Sequence, residues 1–290
     1  MPRQHQASKW VTCAIYFQSR SDYIIAAMNH WLELTGRVCV VTGAASGIGA
    51  QIAQSLSDVG AQVALLDRDI DNASALAAQL RKGGCQAEAF ACDVSEETSI
   101  AQAAQAVLQR FGTVWGVVNN AGFLRSASLK DVTLADWNAV LAVNLTGYLL
   151  VARAFVQHMA QGGSIVNVAS IAAHFPQTHS GAYSASKAGV LQMSRQMAVE
   201  WRDQGIRSNV ICPGLIRTAL SAAFYAVPGV EAKRAAMTAS QRVGEPADIA
   251  HAALFLLSPR SAYVNATDME VDGGMPAMLM DRVPRPGYNC

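Results

Sequence analysis

The stretch Val38-Cys39-Val40-Val41-Thr42-Gly43-Ala44-Ala45-Ser46-Gly47-Ile48-Gly49 sets the architecture. Four apolar residues in succession suit a central parallel strand covered on both faces. Three glycines follow, and a helical apolar pattern then runs to about Val59. Strand, glycine-rich turn and helix in that order give a glycine motif its meaning. The glycines let the backbone turn tightly and approach a pyrophosphate, and the helix N-terminus offers free N–H groups and partial positive charge. The spacing is G-x-x-x-G-x-G, not G-x-G-x-x-G.

Outward from this stretch the chain keeps alternating. Val63–Leu66 reads as a second buried strand and ends at Asp67. An acidic residue at that strand tip is placed to accept hydrogen bonds from the adenosine ribose hydroxyls and to repel a 2′-phosphate, which favours NAD over NADP. Arg68 follows it and works in the other sense, since an arginine there can pair with a phosphate. Further strands are expected at Gln86–Ala91, Val114–Val118, Ser164–Val168, Arg207–Ile211 and Asp268–Val271. Helices are expected at Asn72–Arg81, Ser99–Arg110, from Thr133 to about Met159, at Tyr183–Trp201 and at Asp248–Leu257. Such alternation implies one α/β domain, a Rossmann-type doubly wound parallel sheet with helices on both faces. The domain is expected over 35–274, with an N-terminal extension over 1–34 and a tail over 275–290. Met28 precedes a natural lead into the first strand, so Met1–Ala27 is read as dispensable.

Composition bounds the function. The 290 residues are 51% hydrophobic and 15% charged, with a net charge of +1. That is a globular composition with no basic stripe, so neither nucleic acid nor an anionic membrane is an expected partner. No apolar run is read as long enough to span a bilayer. Cys13, Cys39, Cys85, Cys92, Cys212 and Cys290 show no C-x-x-C and no zinc spacing, which reads as free thiols in a reducing cytoplasm. His174 and His179 have no carboxylate or cysteine at ligand spacing, so no metal site is expected and they read as loop histidines near the substrate.

The chemistry is expected in Tyr183-Ser184-Ala185-Ser186-Lys187. Tyrosine and lysine four residues apart share one helix face. An ammonium beside a phenol favours the phenolate and draws the tyrosine toward the working pH range. Taken alone, the pair is also what a plain surface helix would carry. Gly43, Asp67, Asp93, Asn119, Ser170 and Pro213 all fall at the carboxyl ends of expected strands, where ligands of doubly wound sheets bind.

In order and spacing, Thr42-Gly43-x-x-x-Gly47-Ile48-Gly49, Asp93-Val94, Asn119-Asn120-Ala121-Gly122, Asn144, Ser170, Tyr183-x-x-x-Lys187, Pro213-Gly214 with Thr218, and Asp272-Gly273-Gly274 resemble the short-chain dehydrogenase/reductases. The likeness runs from Gly36 to Gly274. It implies a catalytic set of Asn144, Ser170, Tyr183 and Lys187, with Asn144 holding a water that links Lys187 to solvent. It implies a cofactor site lined by Gly43, Ser46, Gly47, Ile48, Gly49, Asp67, Arg68, Asp93, Val94, Asn120, Ala121, Gly122, Tyr183, Lys187, Pro213, Gly214, Ile216 and Thr218. Asp93 would contact adenine and Thr218 the nicotinamide carboxamide. Ser46 stands where NADP-dependent members often carry a basic residue. Ala266 stands where a glycine is frequent in the last strand. Leu215–Arg242 resembles a substrate lid whose apolar side, with Ile171 and Phe175, suits a modestly hydrophobic alcohol or ketone. The resemblance implies a homotetramer built on Thr133–Met159 and Tyr183–Trp201. The expected function is NAD-dependent hydride transfer between nicotinamide and a secondary alcohol or ketone. The alternatives are an NADPH-dependent 3-oxoacyl-[acyl-carrier-protein] reductase and a catalytically silent dinucleotide sensor.

Overall fold

The computed structural model describes residues 31–218 and 221–287. Strand β1 (Val38–Thr42) is buried throughout. Val38 and Val40 pack on one face of the sheet, Cys39 and Val41 on the other, as the two-residue period of a strand requires. The first face meets α3 (Glu97–Phe111) and α5 (Gly147–Val156); the second meets α1 (Gly47–Asp58) and α9 (Pro246–Leu257). The other strands are β2 (Gln62–Asp67), β3 (Ala87–Ala91), β4 (Val114–Asn119), β5 (Met159–Val168), β6 (Arg207–Pro213) and β7 (Asp268–Val271). Among the described residues they form one parallel sheet in the order β3-β2-β1-β4-β5-β6-β7. The order reverses between β1 and β4, which opens a crevice at their carboxyl ends.

The remaining helices are α2 (Ile70–Lys82), α4 (Leu134–Leu141), α6 (Tyr183–Glu200), and the short α7 (Ala222–Tyr225) and α8 (Val230–Ala235). The helix expected from Thr133 to Met159 is not continuous. Thr133 caps α4 through a bond from the Asp136 N–H (3.0 Å), a π turn then spans Ala142–Thr146, and α5 ends at Val156. Met159 instead opens β5 opposite Val114, with a register shift before Gly116. The strand passes through Gly162 and Gly163, ahead of the expected start at Ser164. A Cβ on Gly163 would lie 2.8 Å from the Trp115 carbonyl, so only glycine lets the two strands approach there.

Three further expectations change. Leu134–Val156 is in fact long and apolar enough to cross a membrane by length and composition. It packs within the domain instead, with Val140, Asn144, Tyr148, Val151 and Phe155 buried. The N-terminal boundary moves inward. Leu34 is fully buried in the core, and Arg260 holds the Trp31 carbonyl (2.7 Å) and Glu33 (2.8 Å), so 31–34 belong to the fold. Residues 1–30, with most of the proposed extension, lie outside the described residues, as do Ala219 and Leu220 of the expected lid. Ala266 precedes β7 rather than lying in it, at φ 59°, a left-handed backbone where glycine would sit without strain.

Candidate active site

The glycine turn is tied to its neighbours through Thr42. The Thr42 hydroxyl accepts from the N–H groups of Asn120 (3.0 Å) and Ala121 (3.1 Å) and donates to the Val118 carbonyl (3.3 Å). The Asn120 amide returns bonds to the carbonyls of Thr42 (3.0 Å) and Gly43 (3.2 Å). The ends of β1 and β4 are thereby locked side by side. The turn leaves no room on its inner side. A Cβ on Gly43 would meet the Ala121 Cα at 2.8 Å, and one on Gly49 would meet the Gly43 carbonyl oxygen at 2.1 Å. On the outer side Gly47, at φ 57°, has nothing nearer than Thr218, at 3.7 Å from a Cβ placed there. Ser46 is extended and makes no side-chain cap on α1, whose first turn carries no acidic residue. A bare helix start beneath an open glycine suits the pyrophosphate of a dinucleotide.

Asp67 ends β2 beside this turn. Its carboxylate accepts from the N–H of Ala45 (2.9 Å) and of Asp69 (2.9 Å). Asp93 accepts from the Ser95 N–H (2.9 Å) and hydroxyl (2.6 Å), which hold its carboxyl below the usual range. Arg68 adds only a weak pull on Asp69 and Asp93. Val94 and Ile216 turn their side chains into the core, so they can line a cofactor site only through the backbone. Pro213 ends β6. At Gly214 a Cβ would come within 2.6 Å of Asp272, so this glycine lets the ends of β6 and β7 meet.

Tyr183, Lys187, Ser170 and Asn144 come together beside this cradle. Tyr183 begins α6 and is half-buried. Ser170 accepts from the Ala172 N–H (3.1 Å), capping the short turn Ile171–Ala173, and its own hydroxyl lies near enough to the Tyr183 phenol to favour the phenolate. Asn144 sits in the π turn. It accepts from the Phe123 N–H (3.0 Å) and donates to the Phe123 carbonyl (2.9 Å) and the Ser186 hydroxyl (3.3 Å). Both amide hydrogens are used, so the side chain anchors the loop after β4. Gly122 brings these groups close: a Cβ there would lie 3.3 Å from Asn144 Oδ1 and 3.5 Å from Lys187 Nζ.

The electrostatics differ from the expectation. Lys187 Nζ lies 5.9 Å from the centre of the Tyr183 ring and donates to the Val168 carbonyl (2.8 Å) and the Tyr148 hydroxyl (3.1 Å). Burial lowers the Lys187 amine to about 7, so near neutrality it carries only part of its charge. Burial raises the Tyr183 phenol above its ordinary value, and Ser170 pulls it only part of the way back. In this state Tyr183 is a neutral proton donor. His174 is not turned to a substrate: its Nε2 lies 3.0 Å from Asp268 and 3.8 Å from Cys212. Tyr148 escaped the sequence reading, although its place one turn after Asn144 was a usable signal. In the segment expected as a lid, Phe224 and Val227 are exposed, and Arg217 stacks on Tyr225 while pairing with Glu231 and Glu245.

A buried lysine has a stability signature. An unfolded amine titrates near 10.5, so from pH 7 to 10.5 the unfolded state binds more protons and stability rises with pH. Cys39, Cys92 and Cys212, pushed by burial from 9.0 to about 12, act in the opposite sense above pH 9. Lys187→Met removes the buried charge and leaves the Val168 carbonyl paired with the Tyr148 hydroxyl at 2.9 Å. We expect it to raise the melting temperature of the nucleotide-free protein at pH 7 by about 4 °C or more, on the order of 1–2 kcal/mol. The climb in stability between pH 7 and pH 9 should flatten. Calorimetry across that range reads both effects.

A family model described as enoyl-(acyl carrier protein) reductase matches residues 43–276. D-threitol dehydrogenase of Mycolicibacterium smegmatis is 41% identical over 244 residues, 83% of this chain and 94% of that protein. 2-(S)-hydroxypropyl-CoM dehydrogenase 3 of Xanthobacter autotrophicus is 37% identical over 252 residues, 85% of this chain and 99% of that one. Among solved structures, a gluconate 5-dehydrogenase from Burkholderia cenocepacia in complex with NADP and tartrate superposes with a TM-score of 0.80 at 33% identity, covering 84% of this chain and 96% of that chain.

Proposed function

The chain belongs to the short-chain dehydrogenase/reductase family of oxidoreductases, and on that premise we propose that it uses NAD to interconvert a secondary alcohol and its ketone. The observation that carries this reading is the half-buried Tyr183 phenol, facing Ser170, beside a buried Lys187 and a glycine cradle fit for a dinucleotide. Nicotinamide supplies or accepts the hydride when bound. The N–H groups around Ser46, Gly47, Ile48 and Gly49 would hold the phosphates, Asp67 the ribose hydroxyls and Asp93 the adenine side. Asn120, Ala121, Gly122, Gly214 and Thr218 would line the path to the reacting end.

The chain's own residues then handle one proton at the substrate oxygen. Tyr183 gives it to a carbonyl oxygen in reduction and takes it from the hydroxyl in oxidation. Ser170 donates a hydrogen bond to the same oxygen and stabilises the charge that develops there. Lys187, when protonated, makes the Tyr183 phenolate easier to form. Asn144 is a positioning residue that holds Phe123 next to Gly122. Phe175, Phe224 and Val227, all exposed, support an apolar substrate side. Leu149 on α5 and Val199 on α6 are also exposed, which supports these helices as subunit contacts of a homotetramer. Unpaired Cys39, Cys85, Cys92 and Cys212 fit a reducing cytoplasm.

Arg68 beside Asp67, and the NADP of the gluconate 5-dehydrogenase complex, keep an NADPH-linked ketone reductase as the second reading. Fluorescence titration of wild type and Asp67→Ala with NADH and NADPH separates the two. We expect wild type to prefer NADH at least about tenfold, ~1.4 kcal/mol, and Asp67→Ala to lose the preference. Equal or tighter NADPH binding by wild type would give the site to Arg68. Polyols and cyclic secondary alcohols form the first substrate panel.

A further inference from the structure

Lys187 is used by the mechanism above, but what holds it is not a recognised part of that machinery. Its Nζ has two partners. One is the Val168 carbonyl at 2.8 Å; the other is the hydroxyl of Tyr148 at 3.1 Å. Tyr148 is among the largest fully buried side chains of the protein. Its single hydroxyl hydrogen goes to the same Val168 carbonyl, at 2.9 Å. The phenol oxygen therefore faces Lys187 as an acceptor, and the three atoms close a triangle at the carboxyl end of β5. The Tyr148 ring adds to this, with Lys187 Nζ 4.9 Å from its centre.

We propose that Tyr148 is a positioning residue for Lys187: its phenol oxygen is the buried acceptor that lets Lys187 carry a proton beside Tyr183. An acceptor bond to a charged group in a buried place is worth more than one to a neutral group, so the contact favours the ammonium over the amine. The other titratable groups facing this spot are Tyr183 on α6 and Cys212 on β6, the latter next to Asp268 and Glu270 of β7. Tyr148 sits one turn past Asn144, immediately after the π turn, so the irregular helix that seats Asn144 also aims Tyr148 at Lys187. The consequence for Tyr183 rests on the hydride-transfer reading. The contact between Tyr148 and Lys187 does not, and it can be tested without nucleotide.

Tyr148→Phe keeps the ring and removes only the oxygen, and the Val168 carbonyl keeps Lys187 as its partner. Losing the acceptor lowers the folded-state affinity of Lys187 for its proton. The added cost of the variant is then full at acid pH, where Lys187 is protonated, and fades as pH rises past neutrality, where the folded lysine is neutral. Urea denaturation of four nucleotide-free proteins at pH 6 and pH 8 reads this: wild type, Tyr148→Phe, Lys187→Met and the double variant. We expect the unfolding constant of Tyr148→Phe relative to wild type to be about fivefold larger at pH 6 than at pH 8, as a drop of one pKa unit from about 7 in Lys187 requires. The same substitution in the Lys187→Met background should cost the same at both pH values. A role in packing alone predicts equal cost at both pH values in both backgrounds, and that result would overturn the proposal. So would a Tyr148→Phe protein that does not fold at pH 8. A variant folded at pH 8 and unfolded at pH 6, with the double variant indifferent to pH, would support it.

Discussion

Tyr183→Phe is expected to lower kcat for alcohol oxidation by about a thousandfold or more, within the range general acid–base groups contribute, while NADH binds as in wild type. The substitution keeps the ring that fills the start of α6 and removes the one atom able to exchange a proton with the substrate oxygen. Ser170 remains capped to Ala172 N–H, so the turn that carries it has no reason to move. The pH profile adds a second readout. Burial raises the Tyr183 phenol, so oxidation, which needs the phenolate, should accelerate as pH rises above neutrality. Reduction, which needs the neutral phenol, should hold its rate through neutrality and fall only at alkaline pH. The residual oxidation rate of Tyr183→Phe should lack the alkaline climb. Steady-state kinetics on the alcohol that turns over fastest, with NADH fluorescence titration in parallel, checks all of this. Wild-type turnover in the variant would remove Tyr183 from the chemistry. Loss of NADH binding would recast it as part of the cradle.

The fold was legible because its signals are local and repeated. Val38–Val41 followed by glycines, and Val63–Leu66 ending in Asp67, state a strand and its ligand-facing tip within a few residues. What was not legible depends on long-range contacts. The strand expected at Ser164 in fact starts at Met159, and only the closeness of the Trp115 carbonyl explains why it runs through Gly162 and Gly163. The π turn at Ala142–Thr146 leaves an ordinary apolar helical pattern in the sequence. Its effect, turning Asn144 to Phe123 and Tyr148 to Lys187, exists only once β4, α5 and α6 are packed together. The Tyr183/Lys187 pair was visible from its spacing, but its electrostatics were not. Spacing predicts a helpful ammonium, whereas burial, a property of the whole domain, strips Lys187 of part of its charge and raises Tyr183. His174 has no carboxylate at ligand spacing in the sequence, which points to a loop histidine near the substrate, yet Asp268, far along the chain, holds it.

Gly49→Ala should disable the cradle without touching the acid/base set. Helix propensity alone would welcome the change, since alanine is favoured over glycine in a helix by ~1 kcal/mol. Sterics reverse the sign. The new Cβ would lie 2.1 Å from the Gly43 carbonyl oxygen, 2.5 Å from the Asn120 amide nitrogen and 2.8 Å from the Gly43 carbonyl carbon. None of these can step aside cheaply. The Gly43 N–H is bonded to the Leu66 carbonyl (2.9 Å), and the Asn120 amide is held by the Thr42 and Gly43 carbonyls. Helix α1 would have to withdraw from the turn, opening the gap between Ile52, Leu56 and the sheet that the core now fills. Overpacking of this kind costs about 1–3 kcal/mol, and the expected drop in melting temperature is about 3–10 °C. Because the withdrawn helix start no longer faces the outer side of the turn, NADH affinity should fall by at least about a hundredfold, near 2.7 kcal/mol. Thermal melts with NADH titration measure both. The comparison with Tyr183→Phe makes the result specific: one variant should lose binding and stability together, the other turnover alone. If Gly49→Ala binds NADH as wild type does, the close approach of helix and turn is not what holds the cofactor.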